Sequence, residues 1–151
     1  MEIERKFLVS QIPGDIAQYK CRFIEQAYLC TNPVVRVRRD NDDYYLTYKS
    51  NGFVAREEYN LPLTQESYEH LLGKADGNII TKRRCRNNPD HAPFLTIELD
   101  IFEGKFAGTV LAEVEFASEE EAGAFIPPDW FLEDVSYSSE YHNSNMSMRT
   151  F

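Results

Sequence analysis

The sequence predicts an α+β fold that is mainly β: antiparallel strands closed into a barrel or stacked as a sandwich, with a few flanking helices. Three observations carry this. Apolar and polar residues alternate with period two over about eight segments. The segments are rich in Val, Ile, Tyr, Phe and Thr, which suit a pleated surface. Polar turn signals separate them at short spacing, as in barrels and sandwiches.

Taken in order, strands are expected over Glu2–Val9, Arg22–Leu29, Val34–Arg39, Tyr44–Lys49, Phe53–Leu61, Ile79–Arg86, Phe94–Phe102 and Val110–Phe116. Turns fall at Asn32-Pro33, Asp40–Asp43, Ser50-Asn51-Gly52, Asn87–Asp90 and Glu103-Gly104. Thr64-x-x-Ser67, with Glu66 and Glu69, opens a helix that runs to about Leu72 and closes at Gly73. Ser118 caps a second helix whose first turn, Glu119-Glu120-Glu121, suits the positive end of the dipole, and Pro127-Pro128 stops it. Trp130 reads as a packing residue of a surface loop. The Ser- and Asn-rich tail from Val135 is a short helix or loosely ordered. No repeat or linker interrupts residues 1–151, so a single domain is expected.

The 151 residues carry 16 Lys+Arg against 25 Asp+Glu, a formal net charge of −9. Such a chain is a poor match for duplex nucleic acid. Its apolar runs are too short for a membrane span and its start is charged, so the expectation is a soluble, cytoplasmic protein that binds no membrane. The three cysteines lack C-x-x-C spacing and read as reduced, mostly buried thiols. His70, His91 and His142 have no metal-binding spacing. The charge is uneven: residues 34–86 hold ten basic and eight acidic side chains, whereas 87–151 hold two basic and thirteen acidic.

Strand parity sorts those charges onto faces. Glu2, Glu4 and Lys6 share a side, as do Arg36 with Arg38, Thr47 with Lys49, Arg56 with Glu58, Lys82 with Arg84 and Arg86, Glu98 with Asp100, and Glu113 with Glu115. For any one strand, a solvent-facing polar side is explanation enough. Across the set, however, like charges repeat, which is expected where a ligand of opposite charge sits between them. Turned inward, the cations suit a polyphosphate and the carboxylates a hard divalent cation. Phosphate, metal and carboxylate together equip phosphoryl transfer or hydrolysis. The aliphatic faces would then point outward and need covering, either by the helices or by a second copy in a homodimer.

Glu2-x-Glu4-x-Lys6 resembles the E-x-E-x-K signature of the CYTH superfamily, the triphosphate tunnel metalloenzymes. Gln26-Ala27-Tyr28-Leu29, Arg36-x-Arg38, Tyr48-Lys49-Ser50, Arg56-x-Glu58, Lys82-x-Arg84, Glu98-Leu99-Asp100 and Glu113-x-Glu115 follow in the family's order. The resemblance implies an eight-stranded antiparallel closed β-barrel, a triphosphate tunnel, with Mg²⁺ or Mn²⁺ on its acidic wall. It implies a substrate-binding set of Lys6, Arg36, Arg38, Lys49, Arg56, Lys82 and Arg84. The implied metal set is Glu2, Glu4, Asp100, Glu113 and Glu115, with Glu2, Glu4 and Glu115 as direct ligands. Lys6, Lys82, Glu58 and Glu113 carry the implied catalytic roles: Glu58 and Glu113 orient the attacking water or hold a second metal, and Lys82 donates a proton or orients. Two positions depart from the pattern. Asn60 stands where the family often has an acid, and the tail Glu140–Asn145 resembles the family's C-terminal Tyr-x-Asn region but lacks a frequent lysine.

The implied activity is a triphosphatase acting on inorganic triphosphate, with nucleoside triphosphates as lesser substrates. A class IV adenylate cyclase or a thiamine-triphosphatase would use nearly the same walls. A non-enzymatic polyphosphate- or nucleotide-binding module would not place carboxylates beside its anion.

Overall fold

The structure, a computed structural model, describes residues 2–88 and 95–150. Phe94, His91 and the end of the Asn87–Asp90 turn lie outside the described residues. Ten strands and three helices are present among those described: β1 (Glu2–Val9), β2 (Lys20–Thr31), β3 (Val34–Asp40), β4 (Asp43–Lys49), β5 (Ala55–Arg56), β6 (Glu58–Pro62), α1 (Gln65–Leu72), β7 (Asp76–Asn87), β8 (Thr96–Phe102), β9 (Val110–Glu115), α2 (Glu119–Ala124), β10 (Phe131–Asp134) and α3 (Asn143–Ser147).

The hydrogen-bonded order β1-β9-β8-β7-β2-β3-β4-β6 is antiparallel throughout. β5 returns to β1 through Glu2↔Arg56 and Ile3↔Ala55, so the sheet nearly closes on itself as a barrel. The segment expected as one strand over Phe53–Leu61 is therefore two. The chain changes neighbours at Glu57, from β1 to β4, and Glu57 instead bonds across the turn to Ser50. β10 adds an outer strand on β1, pairing Phe7 with Asp134, and it was not expected from sequence.

The parity argument places the charged faces inward. Toward one end, though, the same faces carry Leu8, Tyr28, Val34, Ile80, Phe102 and Leu111, which gather with Phe106, Val135 and Met146 of α3 into an apolar cluster. That end of the lumen is thus filled, and the barrel is a cup rather than an open pipe. The opposite, outward faces form a second cluster: Ile3, Phe7, Ile97, Leu99, Ala112, Val114 and Phe116 pack beneath Ala122 of α2 and Phe131 of β10. Trp130 packs edge-on against Phe131 at the margin of this cluster.

The helices begin where the capping residues require. Thr64 accepts from the Ser67 amide and the Ser67 hydroxyl reaches back, a reciprocal box, while Ser118 accepts from the Glu121 amide at 3.1 Å. From α1, Tyr68 is buried against Tyr44 and donates to the Glu25 carboxylate at 2.9 Å. Beyond Tyr44 the outward face is more open, with Tyr59 and Leu61 of β6 each 59% exposed.

The expectation of reduced, buried thiols is corrected. Cys21 and Cys85 stand directly opposite each other on β2 and β7, with Cα atoms 4.0 Å apart, and form a disulfide; Cys30 is free and exposed. The pairing joins residues 64 apart in sequence, and only strand register brings them together. Among the described residues no helix is long and apolar enough to cross a membrane.

Candidate active site

The lumen encloses about 190 Å³ and is lined almost wholly by charge: Glu2, Glu4, Lys6, Arg36, Arg38, Lys49, Arg56, Glu58, Arg84, Glu98, Glu113 and Glu115. Every residue anticipated for the site is in this wall except Lys82 and Asp100. These two are fully buried behind Arg84 and are bonded to each other at 2.8 Å. Tyr28, His142 and Asn143 also line the cavity. Sequence reasoning gave the last two no role in the site: they sit in a tail with no periodicity, where only the resemblance of Tyr141-His142-Asn143 to the family's Tyr-x-Asn region was a signal.

The cations fall into two groups. Lys6 pairs with Glu113 at 3.3 Å, Lys49 with Glu2 at 2.9 Å, and Arg56 approaches Glu2 at 4.0 Å. Arg84 is held twice over: Nε and Nη2 donate to Asp100 at 2.7 and 2.8 Å, and Nη2 also donates to Glu113 at 3.0 Å. Among the described residues, Arg36 and Arg38 have no carboxylate partner. Both are nearly completely buried, and the Nε of Arg36 has no acceptor.

The carboxylates divide in the same way. Although burial opposes it, Arg84 and Lys82 hold Asp100 below the ordinary carboxylate range. Arg84, Lys6 and Lys82 likewise hold Glu113 well below it. Glu58 is also lowered against burial, by a hydrogen bond with Glu2 and by Lys49. Glu2, Glu4 and Glu115 are raised instead, by burial first. Glu113 and Glu2 add to Glu4, Glu2 and Glu4 add to Glu115, and Glu58 adds to Glu2, where Lys49 opposes the rise. Glu4 faces Glu115 directly across the β1–β9 ladder, and neither makes an ion pair among the described residues.

That raised trio has the donor chemistry of a divalent-cation site: hard oxygens whose like charges raise one another, with only Glu2 held in an ion pair, by Lys49. Among the described residues no group of three or more His, Cys, Asp or Glu side chains is yet gathered closely enough to hold a metal, so the three carboxylates would have to rotate together around one.

Two further groups beside this cluster are shifted from their ordinary values. Burial pushes the Lys82 ammonium down to about 7, helped by Arg84 and Arg38 and opposed by Asp100. Burial and Lys6 lower His142, whose Nε2 faces the Ser136 carbonyl at 3.0 Å and therefore carries the proton.

Within this geometry the comparisons with known proteins are specific. The CYTH domain model matches residues 1–147. The chain belongs to the CYTH family. It is 38% identical over 152 residues to the inorganic triphosphatase of Nitrosomonas europaea, covering 97% of each chain. It is 35% identical over 154 residues to the inorganic triphosphatase of Acetivibrio thermocellus, covering 96% of this chain and 92% of that one. The crystal structure of the inorganic triphosphatase NE1496 superposes with a TM-score of 0.75 at 33% identity, covering 99% of this chain and 96% of the other. A putative adenylyl cyclase from Hippeastrum, at 15% identity and a TM-score of 0.61, shares the CYTH fold.

Proposed function

We propose that this CYTH protein hydrolyses the terminal phosphoanhydride of inorganic triphosphate, releasing phosphate and diphosphate, with Mg²⁺ or Mn²⁺ as cofactor. The observation that carries the reading is the pair of guanidiniums with no ion-pair partner among the described residues, Arg36 and Arg38, in a lumen whose Glu4 and Glu115 likewise make no ion pair there, beside a Glu2 held by Lys49. An anion satisfies one set and a cation the other. The same activity is borne by the two bacterial relatives.

Arg36 and Arg38 would take phosphoryl oxygens in their forks without first giving up a partner. Lys6, Lys49, Arg56 and Arg84 would exchange part of their carboxylate contacts for phosphate. Glu2, Glu4 and Glu115 would hold the divalent cation, which when bound supplies charge neutralisation and polarises a phosphoryl oxygen. Glu58 and Glu113 stay ionised at neutral pH, so they accept hydrogen bonds from the attacking water and orient it. As water adds to the terminal phosphorus, the bridging P–O bond breaks. Lys82, pushed down to about 7 and buried behind Arg84 with its ammonium on Asp100, does not line the lumen and is suited to hold or release a proton behind the phosphate-binding cations. With Asp100 tied to Lys82 and Arg84, its role is to aim those cations rather than to bind metal.

The test is a panel measuring phosphate and cyclic-nucleotide release from triphosphate, ATP and thiamine triphosphate with each metal. Triphosphate should be cleaved fastest, and Glu4→Gln or Lys6→Ala should abolish turnover in folded protein. Cyclic nucleotide as the main product, or full activity in those variants, would overturn the assignment. Tight triphosphate binding without turnover in either metal would make the protein a binding module.

A further inference from the structure

The lumen holds its arginines in two ways. Arg84 is clasped by two carboxylates, and its charge is largely spent on them. Arg38 is held by an amide: its Nε donates to Gln26 Oε1 at 2.7 Å, and Gln26 is fully buried. Gln26 lies on β2 directly across from Arg38, and Ile80 of the apolar floor flanks it on the other side. Because Arg38 Nε can only donate, the Gln26 amide must turn its oxygen toward it. The Nε2 group then faces away and has no partner among the described residues.

A fold free to choose for stability alone would place a carboxylate at this position. Glutamate has the same shape, would pair with the guanidinium as Asp100 pairs with Arg84, and would leave no amide donor orphaned. We propose that Gln26 is a positioning residue that aims the Arg38 fork at the triphosphate while leaving its charge unspent. The surroundings agree. Burial pushes Arg38 down to about 10, and Arg36 and Arg84 add to it, as expected of a cation with no counter-ion of its own.

The inference rests on triphosphate as the substrate, and one experiment separates the two. Wild type, Gln26→Glu and Gln26→Met are compared by thermal melting, by triphosphate affinity in EDTA, and by kcat and KM with Mg²⁺ or Mn²⁺. Gln26→Glu should melt no lower than wild type, yet bind triphosphate about tenfold or more weaker, with KM rising more than kcat falls. Gln26→Met frees Arg38 without neutralising it and should raise KM by a smaller factor. It also reads the same point if the glutamate variant fails to fold. A wild-type KM and affinity in Gln26→Glu, or an activity loss that merely follows a lower melting temperature, would overturn the inference while leaving the substrate intact. Wild-type protein that neither binds nor cleaves triphosphate would remove both.

Discussion

Arg36-x-Arg38 on β3 and Lys82-x-Arg84 on β7 look alike in sequence: two cations of equal parity on a lumen-facing strand. In the fold they differ sharply. Lys82 and Arg84 face β8 and β9, whose Asp100 and Glu113 meet them at 2.7 to 3.0 Å. Arg36 and Arg38 face β4 and β2, which offer Thr47, Tyr45, Tyr28 and Gln26 but no carboxylate. Charge that is balanced at home builds the barrel, and charge left unbalanced is available to a ligand. The difference comes from the neighbouring strand, not from the motif.

Two substitutions should break this contrast in opposite directions. Asp100→Asn leaves a fully buried Lys82 and most of Arg84 without their counter-ion. It should cost about 3 to 5 kcal/mol of stability, since removing one partner of a buried ionic cluster strands the other. Urea or thermal denaturation reads this directly, and a variant as stable as wild type would show that the cluster does not organise the wall. Arg38→Met removes no ion pair but strands the buried Gln26 oxygen, so it should cost about 1 to 2 kcal/mol, less than Asp100→Asn. Its kcat/KM for triphosphate should fall by about a hundredfold or more, the scale of losing one preorganised charge at a reacting anion. A stability loss in Arg38→Met as large as that of Asp100→Asn would erase the distinction between the two walls.

How much of this was readable beforehand follows the same division. Alternation sorted the charges onto shared faces, because a strand's two faces are decided by parity. The repeated like charges and the family resemblance turned those faces inward, and the bounds of β1 fall at Glu2 and Val9 as expected. What each charge meets was not readable. That Arg84 lies opposite Asp100, that Cys21 lies opposite Cys85, and that Arg38 is held by Gln26 are facts of register between strands distant in sequence. β10 escaped because four residues after a proline pair carry too little alternation to stand out. His142 and Asn143 escaped because they reach the cavity from a tail held by scattered bonds, Lys6 Nζ to the Tyr141 carbonyl among them. The apolar floor was hidden for a different reason: Leu8, Ile80 and Leu111 continue the charged faces, and each one alone looks like a break in pattern.

The smallest effect sharpens the comparison from outside the lumen. Arg5 on the outer face donates to Asp134 of β10 at 2.7 Å, and Asp134 also accepts from the Ser136 amide and hydroxyl at 2.9 and 2.6 Å. Ser136 in turn accepts from the Lys6 amide, so the cluster ties the tail to β1. Although burial opposes it, these bonds and Arg5 hold the carboxylate below its ordinary 3.8. A depressed carboxylate favours the folded state when ionised. Its contribution is therefore complete above about 3.8 and is lost as pH falls through the folded value. With more than a third of its side chain in solvent, the pair is screened and its worth should stay below about 1 kcal/mol. Asp134→Asn should accordingly lower the unfolding free energy slightly at pH 7, and the gap from wild type should shrink as both are titrated below pH 3.8. A gap that is as wide in acid as at neutrality would mean that the aspartate holds β10 by shape and not by charge, unlike Asp100 and Glu113 inside the barrel.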